Sequence, residues 1–503
     1  MINTDGQILI TLGIGVLLLA MVTEMAARRG WLPQWLARKL LHIGACGACA
    51  LAPMWLQDWK MLRWIVLAVE PALIYLVATR RLFSDVNGRR SWGIVLFPVA
   101  YVMLLFFAAD KFFVIVPMAI LAVSDAAAAI VGQLFAQRFY QLTGDRKSLP
   151  GSLAFLISTL LVIWASQSLF PQQWVNAYAL PSGWISFETG NPWLWTKIGL
   201  AALLLTALEA LGSRGFDNLF IPLAAAALLE RCLQAPDIDR TLPLWVAVGA
   251  AIGFIGFTVR RKSLTLDGAV MAAVVGLWVL YFTGLAMLWP LLFFFVTSTL
   301  IGRLTKRRAV LSDAKHGQAR DYRQVLCNGG VYALLATFAF GWHDIPVMVL
   351  MVISLAVSTA DTWASEIGIY FRGPTYDLWR WRPTPVGLSG GVSWAGTLGG
   401  LAGSAALSVV GILSPSWSLE LLPVLCFTAA GFAGMLLDSL LGATLQARYR
   451  NEQTGELTDL PTNILHSGYP WMSNDAVNLL SNIVTVLAVW VCFLVWLLFR
   501  NSS

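Results

Sequence analysis

The feature that most constrains this chain is a succession of apolar runs, each about 20 residues long, that recurs from one end to the other. A run of that length wound as a helix spans the roughly 30 Å hydrocarbon layer of a bilayer. Sixteen such cores can be marked: 7–27, 40–56, 61–79, 92–108, 112–135, 151–170, 197–212, 219–234, 243–259, 266–283, 285–302, 325–341, 345–371, 390–413, 421–447 and 475–499. The runs are continuous rather than alternating, which excludes a β-barrel. Only 12% of the 503 residues are charged, about half the share of a soluble domain. The expected fold is therefore all-α, a polytopic integral membrane helical bundle of about sixteen transmembrane segments in two halves. The 197–212 and 219–234 cores are short and are expected to be re-entrant or broken.

Basic residues orient the segments, because cytoplasmic loops retain Lys and Arg. With the N-terminus outside, 27 of the 34 Lys and Arg fall on the cytoplasmic side. The longest outside loop, 171–196, holds no Lys or Arg. The net charge of +7 is thus a topology signal and implies no nucleic-acid partner. The start, MINTDGQILI, lacks a basic n-region and a cleavage site, so the first span is expected to remain. A bacterial inner membrane is the expected location. The cysteines are scattered, and Cys46 and Cys49 form a C-x-x-C within an apolar helix, where small residues serve helix packing.

Arg260, Arg261 and Lys262 mark a boundary. They suggest an N-terminal domain over 1–240, a linking span end and basic boundary over 241–264, and a C-terminal domain over 265–503. Each half has an acid inside an apolar helix followed by the same pattern. SDAAAAIVG places Asp125 before Gly132, and ADTWASEIG places Asp361 before Gly368; both read D-x-x-A-x-x-x-G. That spacing puts acid, alanine and glycine on one helical face, leaving room beside the carboxylate. A polar, glycine-containing element then opens the next helix: KSLPGS (147–152) in one half and GLSGGVSWAGT (387–397) in the other. Glu209 before FDNL (216–219) is echoed by Asp438 before SNDAVNLL (473–480). RKLLHIG (38–44) is echoed by RQVLCNG (323–329).

Ionisable groups inside spans are costly and mark function. Asp125, Glu209, Asp361, Glu366 and Asp438 meet that description and are the candidate metal ligands. Carboxylates near basic residues and small-residue helix starts are the parts of a Mg-nucleotide site. Mg²⁺ takes one or two carboxylates plus phosphate oxygens, lysine binds phosphate as a point charge, and a helix start offers free N–H groups. Lys147 lacks the preceding glycine-rich loop of a P-loop. The four histidines are too dispersed for a zinc site, and no G-x-S-x-G occurs.

These residues resemble a known pair of families. RKLLH with Arg38, Lys39 and His42, the Asp125–Gly132 segment, GDRKSLPGS (144–152) and EALGSRGFDNLFIPL (209–223) resemble the membrane family of phytol kinase and dolichol kinase. In the second half, KHGQARDYRQVLCNGG (315–330), ADTWASEIG, PVGLSGGVSWAGT (385–397) and GMLLDSLLGATLQ (434–446) resemble the family containing phytyl-phosphate kinase. The 171–196 loop matches neither. The resemblance implies two consecutive phosphorylations of a long-chain isoprenoid alcohol, to the monophosphate and then the diphosphate. It also implies Mg²⁺ and a nucleoside triphosphate donor, CTP prominently. It makes Asp125, Lys147, Asp361 and Asp438 the catalytic candidates. Substrate and nucleotide contacts are expected from Arg38, Lys39, His42, Ser148, Gly151, Ser152, Asp217 and Asn218 in the first half. In the second they are expected from Lys315, Arg320, Arg323, Asn328, Ser389, Gly390, Gly391 and Ser393. A prenyl-phosphate transporter or flippase, and a cytidylyltransferase making a CDP-lipid, are the alternatives. Midplane sites would mark the transporter, whereas these motifs cluster at one face.

Overall fold

The computed structural model describes residues 4–78, 93–135, 138–143, 145–178, 192–213, 215–234, 244–308, 319–339, 347–413, 421–450, 455, 457–459 and 463–500. Each of the sixteen apolar cores overlaps a helix, although the 390–413 core begins in a short strand and the loop before it, and the 421–447 core runs three residues past its helix. The chain forms two compact units, Met1–Ala247 and Val248–Ser503.

The first unit contains α1 (Thr4–Arg28), α2 (Gln34–Trp55), α3 (Leu62–Ala78), α4 (Gly93–Phe107), α5 (Phe112–Phe135), α6 (Leu149–Leu169), α7 (Pro171–Tyr178), α8 (Pro192–Leu211) and α9 (Asp217–Gln234). A two-residue hairpin, β1 (Phe139–Tyr140) with β2 (Lys147–Ser148), joins α5 to α6. Helix α10 (Leu244–Arg260) carries the unit boundary in its first turn. The second unit continues with α11 (Leu266–Thr283), α12 (Leu285–Arg308), α13 (Tyr322–Phe338), α14 (Val347–Phe371), α15 (Trp394–Ile412), α16 (Leu421–Thr444) and α17 (Asn474–Arg500). Strands β3 (Tyr376–Asp377) and β4 (Gly391–Val392) join α14 to α15, and β5 (Arg448–Arg450), β6 (Leu457–Thr458) and β7 (Ile464–Ser467) form a small sheet before α17.

Among the described residues, ten helices are long and apolar enough to cross a bilayer, and two shorter apolar helices accompany them. The other expected cores lie in α2, α3, α9 and α13. The 197–212 and 219–234 cores are not broken: they are the continuous helices α8 and α9, of 20 and 18 residues.

Each unit is organised around its acid-bearing helix. In the first, α2, α6 and α9 pack on α5; in the second, α12, α13, α15, α16 and α17 pack on α14. Two-thirds of α5 and of α14 is buried in protein, against 6% for α1 and 17% for α17. Lipid is as apolar as leucine, so exposed apolar faces on α1 and α17 cost nothing, whereas close helix contact needs small residues. Helix α15 supplies them. A Cβ on Gly396, Gly400, Gly403 or Gly411 would meet Ala364, Ala360, Trp363 or Val352 of α14. The sequence motif thus serves two ends, with the small residues admitting the next helix and the acid left beside it.

The helix–hairpin–helix element recurs in the same register in both units. Ser148 caps α6 by accepting from the Gly151 N–H, and Ser393 caps α15 by accepting from the Gly396 N–H, each at 3.2 Å. A Cβ on Gly151 would lie 2.8 Å from the Ala128 carbonyl and 3.5 Å from the Gly132 Cα. A Cβ on Gly396 would lie 2.9 Å from the Ala364 carbonyl and 3.6 Å from the Gly368 Cα. In the hairpins, Tyr140 pairs with Lys147 and Tyr376 pairs with Val392. Asp125 therefore corresponds to Asp361, Gly151 to Gly396, and Lys147 to Val392.

Candidate functional site

In the first unit the sequence candidates come together as a charged cluster. Lys39 on α2 donates to Asp125 on α5 at 2.6 Å, and His42 Nε2 lies 3.5 Å from the same carboxylate oxygen. One helical turn separates Lys39 from His42, so a single face of α2 addresses Asp125. From the other side, Lys147 Nζ lies 2.5 Å from Glu209 Oε1 at the end of α8 and 3.7 Å from Asp217 Oδ2 at the start of α9. Burial works against the Lys147 charge, yet Glu209 and Asp217 hold the ammonium above the usual lysine range. Glu209 is 3% exposed, and its Oε2 has no hydrogen-bond partner.

The neighbouring candidates are fixed by local bonds. Asn218 donates to the Gly93 carbonyl at 3.1 Å, tying α9 to α4. Ser152 Oγ is 2.6 Å from the Tyr140 hydroxyl. Ser148 is spent as the α6 cap. Gly151, expected among the substrate and nucleotide contacts, lies against α5, where the Ala128 carbonyl leaves no room for a side chain. Arg38 lies on α2, and its side chain falls outside the described residues.

The second unit encloses a cavity of about 250 Å³. Its wall takes in Asp361, Glu366, Asp438, Arg320, Asn328, Ser389, Gly390, Gly391 and Ser393, all singled out in the sequence. Asp438 accepts from Ser481 at 2.9 Å. Asn328 is held on α13 by its bond to the Gln324 carbonyl, and its own carbonyl accepts from Ser358. Arg320 sits in the extended segment before α13, its backbone pinned by bonds to Ser263 and Thr265. Burial lowers the Arg320 pKa, although Glu366 opposes the shift, and the guanidinium keeps its charge.

The 387–391 loop is less open than a phosphate cradle requires. The Gly391 N–H donates to the Leu388 carbonyl at 3.1 Å, and the Ser389 N–H points to Asp459 Oδ2 at 3.4 Å. Ser389 Oγ is 2.9 Å from Asp459 Oδ2 and 2.8 Å from Asn474 Oδ1, and its single proton serves one at a time. Gly390 has φ +80°, and a Cβ there would collide with the backbone of Gly442 and Ala443 at the end of α16. Arg323 does not join the cavity wall: it is exposed, with its guanidinium over Tyr322. Lys315 lies outside the described residues.

Sequence reasoning missed several wall residues: Gln324, Asp459, Asn474, Asp475 and Asn478. Three of these stand in SNDAVNLL, which was noted for its echo of FDNL and not for its side chains. Tyr140 and Tyr376 were also missed. The motif extends to D-x-x-A-x-x-x-G-x-x-F-x-x-x-x-Y in both halves, a readable signal that fixes the register.

The cluster and the cavity differ in the donors they offer to Mg²⁺. Among the described residues no three His, Cys, Asp or Glu side chains converge to hold a metal by themselves. Mg²⁺ does not need that, since it uses one or two carboxylates and takes further oxygens from phosphate or water. The second unit fits: Glu366 Oε2 and Asp459 Oδ1 are buried oxygens without partners, beside Asp361 and Asp438. The first unit fits less well, because Lys39 and Lys147 already occupy Asp125 and Glu209 Oε1, leaving Glu209 Oε2.

A family model described as integral membrane protein DUF92 matches residues 249–486. Protein PGR of Arabidopsis thaliana is 30% identical over 270 residues, which cover 48% of this chain and 92% of that protein. The chain belongs to the DUF92 integral membrane family. A protein named phytol kinase from Synechocystis is 26% identical over 215 residues, 41% of this chain and 84% of that protein. Protein VTE6, chloroplastic, of Arabidopsis thaliana is 26% identical over 270 residues, 51% of this chain and 75% of that protein. Each match covers about half of this DUF92 chain or less. No solved structure matches it. With its many apolar helices, it is a multi-pass membrane protein.

Proposed function

We propose that this protein is a bifunctional membrane phosphotransferase acting on long-chain isoprenoid alcohols such as phytol or geranylgeraniol. The first unit transfers a phosphoryl group from a nucleoside triphosphate, CTP by expectation, to the alcohol. The second phosphorylates the monophosphate to the diphosphate. Both sites face the cytoplasm, where a soluble nucleotide meets a membrane-bound lipid.

The observation that carries the reading is the Lys39–Asp125–His42 and Glu209–Lys147–Asp217 cluster inside an otherwise apolar unit. It stands in a chain with a relative named phytol kinase. Phosphoryl transfer asks a protein mainly for positioning and charge neutralisation. In the first unit the alcohol oxygen bonds to the γ-phosphorus, the bond from that phosphorus to the β-phosphate oxygen breaks, and the nucleoside diphosphate leaves. Asp125, oriented by Lys39 and His42, takes the hydroxyl proton. Lys147 is the ammonium for the donor phosphates. In the second unit Val392 stands in that place, and Arg320 is the cation on the cavity wall, suited to a phosphate monoester by its planar fork. Mg²⁺, when bound, supplies further charge neutralisation on the phosphates, and Asp361, Glu366 and Asp438 would hold it.

The test is direct. Purified protein in detergent receives geranylgeraniol, Mg²⁺ and each of the four nucleoside triphosphates, and the lipids are identified by mass spectrometry. Asp125→Asn is expected to abolish the monophosphate yet still convert supplied geranylgeranyl monophosphate. Asp361→Asn is expected to accumulate monophosphate. No phosphorylated prenol with any donor would sink the reading, and loss of both steps in either variant would remove the two-site division.

A further inference from the structure

One residue of the second unit's cavity wall, Ser389, is held by a pair that does not line the cavity. Asp377 on β3 and Arg448 on β5 are 4% and 3% exposed, and neither lines the cavity. Arg448 Nη1 donates to Asp377 Oδ2 at 2.8 Å, while its other prong, Nη2, donates to the Ser389 carbonyl at 2.9 Å. The remaining oxygen of Asp377 accepts from the Trp379 and Arg380 amides at 3.0 and 2.8 Å, closing the turn after β3. One guanidinium thus joins two turns of the α14–α15 connection to the strand that follows α16.

Ser389 is the next link. With its carbonyl held by Arg448, its hydroxyl is placed between Asp459 and Asn474. Gly390, next in sequence, lies with its Cα against the end of α16, and its carbonyl accepts from the Leu378 N–H at 3.1 Å. Three separate segments therefore meet at one residue of the cavity wall: the 387–391 loop, the loop bearing Asp459, and the start of α17.

We propose that Arg448, seated on Asp377, is the positioning residue of the second site, fixing the Ser389 peptide and through it the wall formed with Asp459 and Asn474. The proposal rests on the reading of this cavity as the site of the second phosphorylation. Its structural content, however, can be tested without activity. Both prongs are required, because a carboxylate and a carbonyl are bridged in fixed directions by a planar fork, which the point charge of lysine does not reproduce.

Hydrogen–deuterium exchange on the full-length protein in detergent reads the loop amides. The Leu378 and Gly391 N–H groups are hydrogen-bonded within the connection. In Arg448→Ala their exchange is expected to rise at least tenfold, with α14, α15 and the first unit unchanged. Arg448→Lys, which keeps the charge, is expected to show the same rise near Gly391 and a smaller one near Trp379 and Arg380. Asp377→Asn, nearly isosteric, guards against a folding artefact and is expected to raise exchange at both turns. With geranylgeranyl monophosphate as substrate, Arg448→Ala and Arg448→Lys are expected to lower kcat about tenfold or more while formation of the monophosphate continues. Unchanged loop exchange in Arg448→Ala, or full kcat in Arg448→Lys, would overturn the proposal. If the wild-type protein makes no diphosphate, the kinase reading fails, and the exchange measurement still decides whether Arg448 holds the loop.

Discussion

Replacing Lys147 by methionine removes the charge that compensates Glu209, and the structure sets the size of the effect. The Lys147 side chain is 16% exposed and that of Glu209 4%, with the ammonium 2.5 Å from the carboxylate. Breaking a buried pair from one side costs about 3–5 kcal/mol, because an uncompensated charge is left where water cannot reach it. Glu209 Oε2 already lacks a partner, so no other group takes over. The residual exposure of Lys147 puts the expected loss near the lower end, about 3 kcal/mol. For a domain of this size that lowers the thermal midpoint by roughly 6–12 °C. The double variant Lys147→Met/Glu209→Gln removes the Glu209 charge as well and is expected to recover part of the loss, the rest remaining because Asp217 still lacks the cation 3.7 Å away. Glu209→Gln alone leaves Lys147 beside Asp217 at 3.7 Å and is expected to cost less than Lys147→Met. Thermal unfolding in detergent, followed by tryptophan fluorescence, measures all four proteins. A Lys147→Met protein as stable as the parent would refute the argument, as would a double variant no more stable than the single one.

Two other perturbations follow from the geometry. Gly151→Ala and Gly396→Ala each force a Cβ toward a carbonyl, at 2.8 Å from Ala128 O and 2.9 Å from Ala364 O, and are expected to cost about 1–3 kcal/mol in their own unit; thermal melts with no loss in either variant would contradict the shared helix–helix register. Burial opposes the Asp377 charge, but the Arg448 hydrogen bond and the Arg380 and Trp379 amides hold its carboxyl below the usual range. The stabilisation is therefore present above the ordinary carboxylate value near 4 and is lost as pH falls through the lower folded value. Thermal midpoints measured between pH 6 and 3 are expected to converge for the parent and Asp377→Asn at the acid end, and a gap that widened there would reverse the assignment.

Helices were legible because a bilayer-length apolar run is a local property of the chain, and so was the alignment of Asp125 with Gly132 on one face. The pairing of Glu209 with Lys147 was legible only in part: both were named, but which acid met which base depends on how α8 reaches the hairpin. Least legible was the Asp377–Arg448 pair, whose partners are 71 residues apart and sit in short irregular segments where no periodicity operates. The loop lengths also hid the true register. KSLPGS resembles the glycine-rich start of GLSGGVSWAGT, but packing aligns Ser148 with Ser393 and Gly151 with Gly396. The glycine in each case is explained by the carbonyl of the neighbouring helix, a constraint that a sequence shows only as a small residue.

That register carries a consequence for how the two sites differ. The scaffold repeats, but its charges do not: Lys147 is replaced by Val392, and Ile130 of α5 stands where Glu366 stands on α14. In the first unit, lysines contact the carboxylates directly. In the second, the cavity wall is richer in carboxylates, and among the described residues Arg320 is its one cation. A site of that charge repels a phosphate monoester and a nucleotide unless cations enter with them. Under the proposed reaction order, the unit receiving the more anionic acceptor is thus the one whose own residues leave carboxylate oxygens free. The first unit, receiving an uncharged alcohol, already holds its own ammonium groups. The second phosphorylation is accordingly expected to fall off at higher free Mg²⁺ than the first when the metal is titrated down with a chelator. Equal Mg²⁺ dependence of the two steps would show that the difference in charge does not govern them.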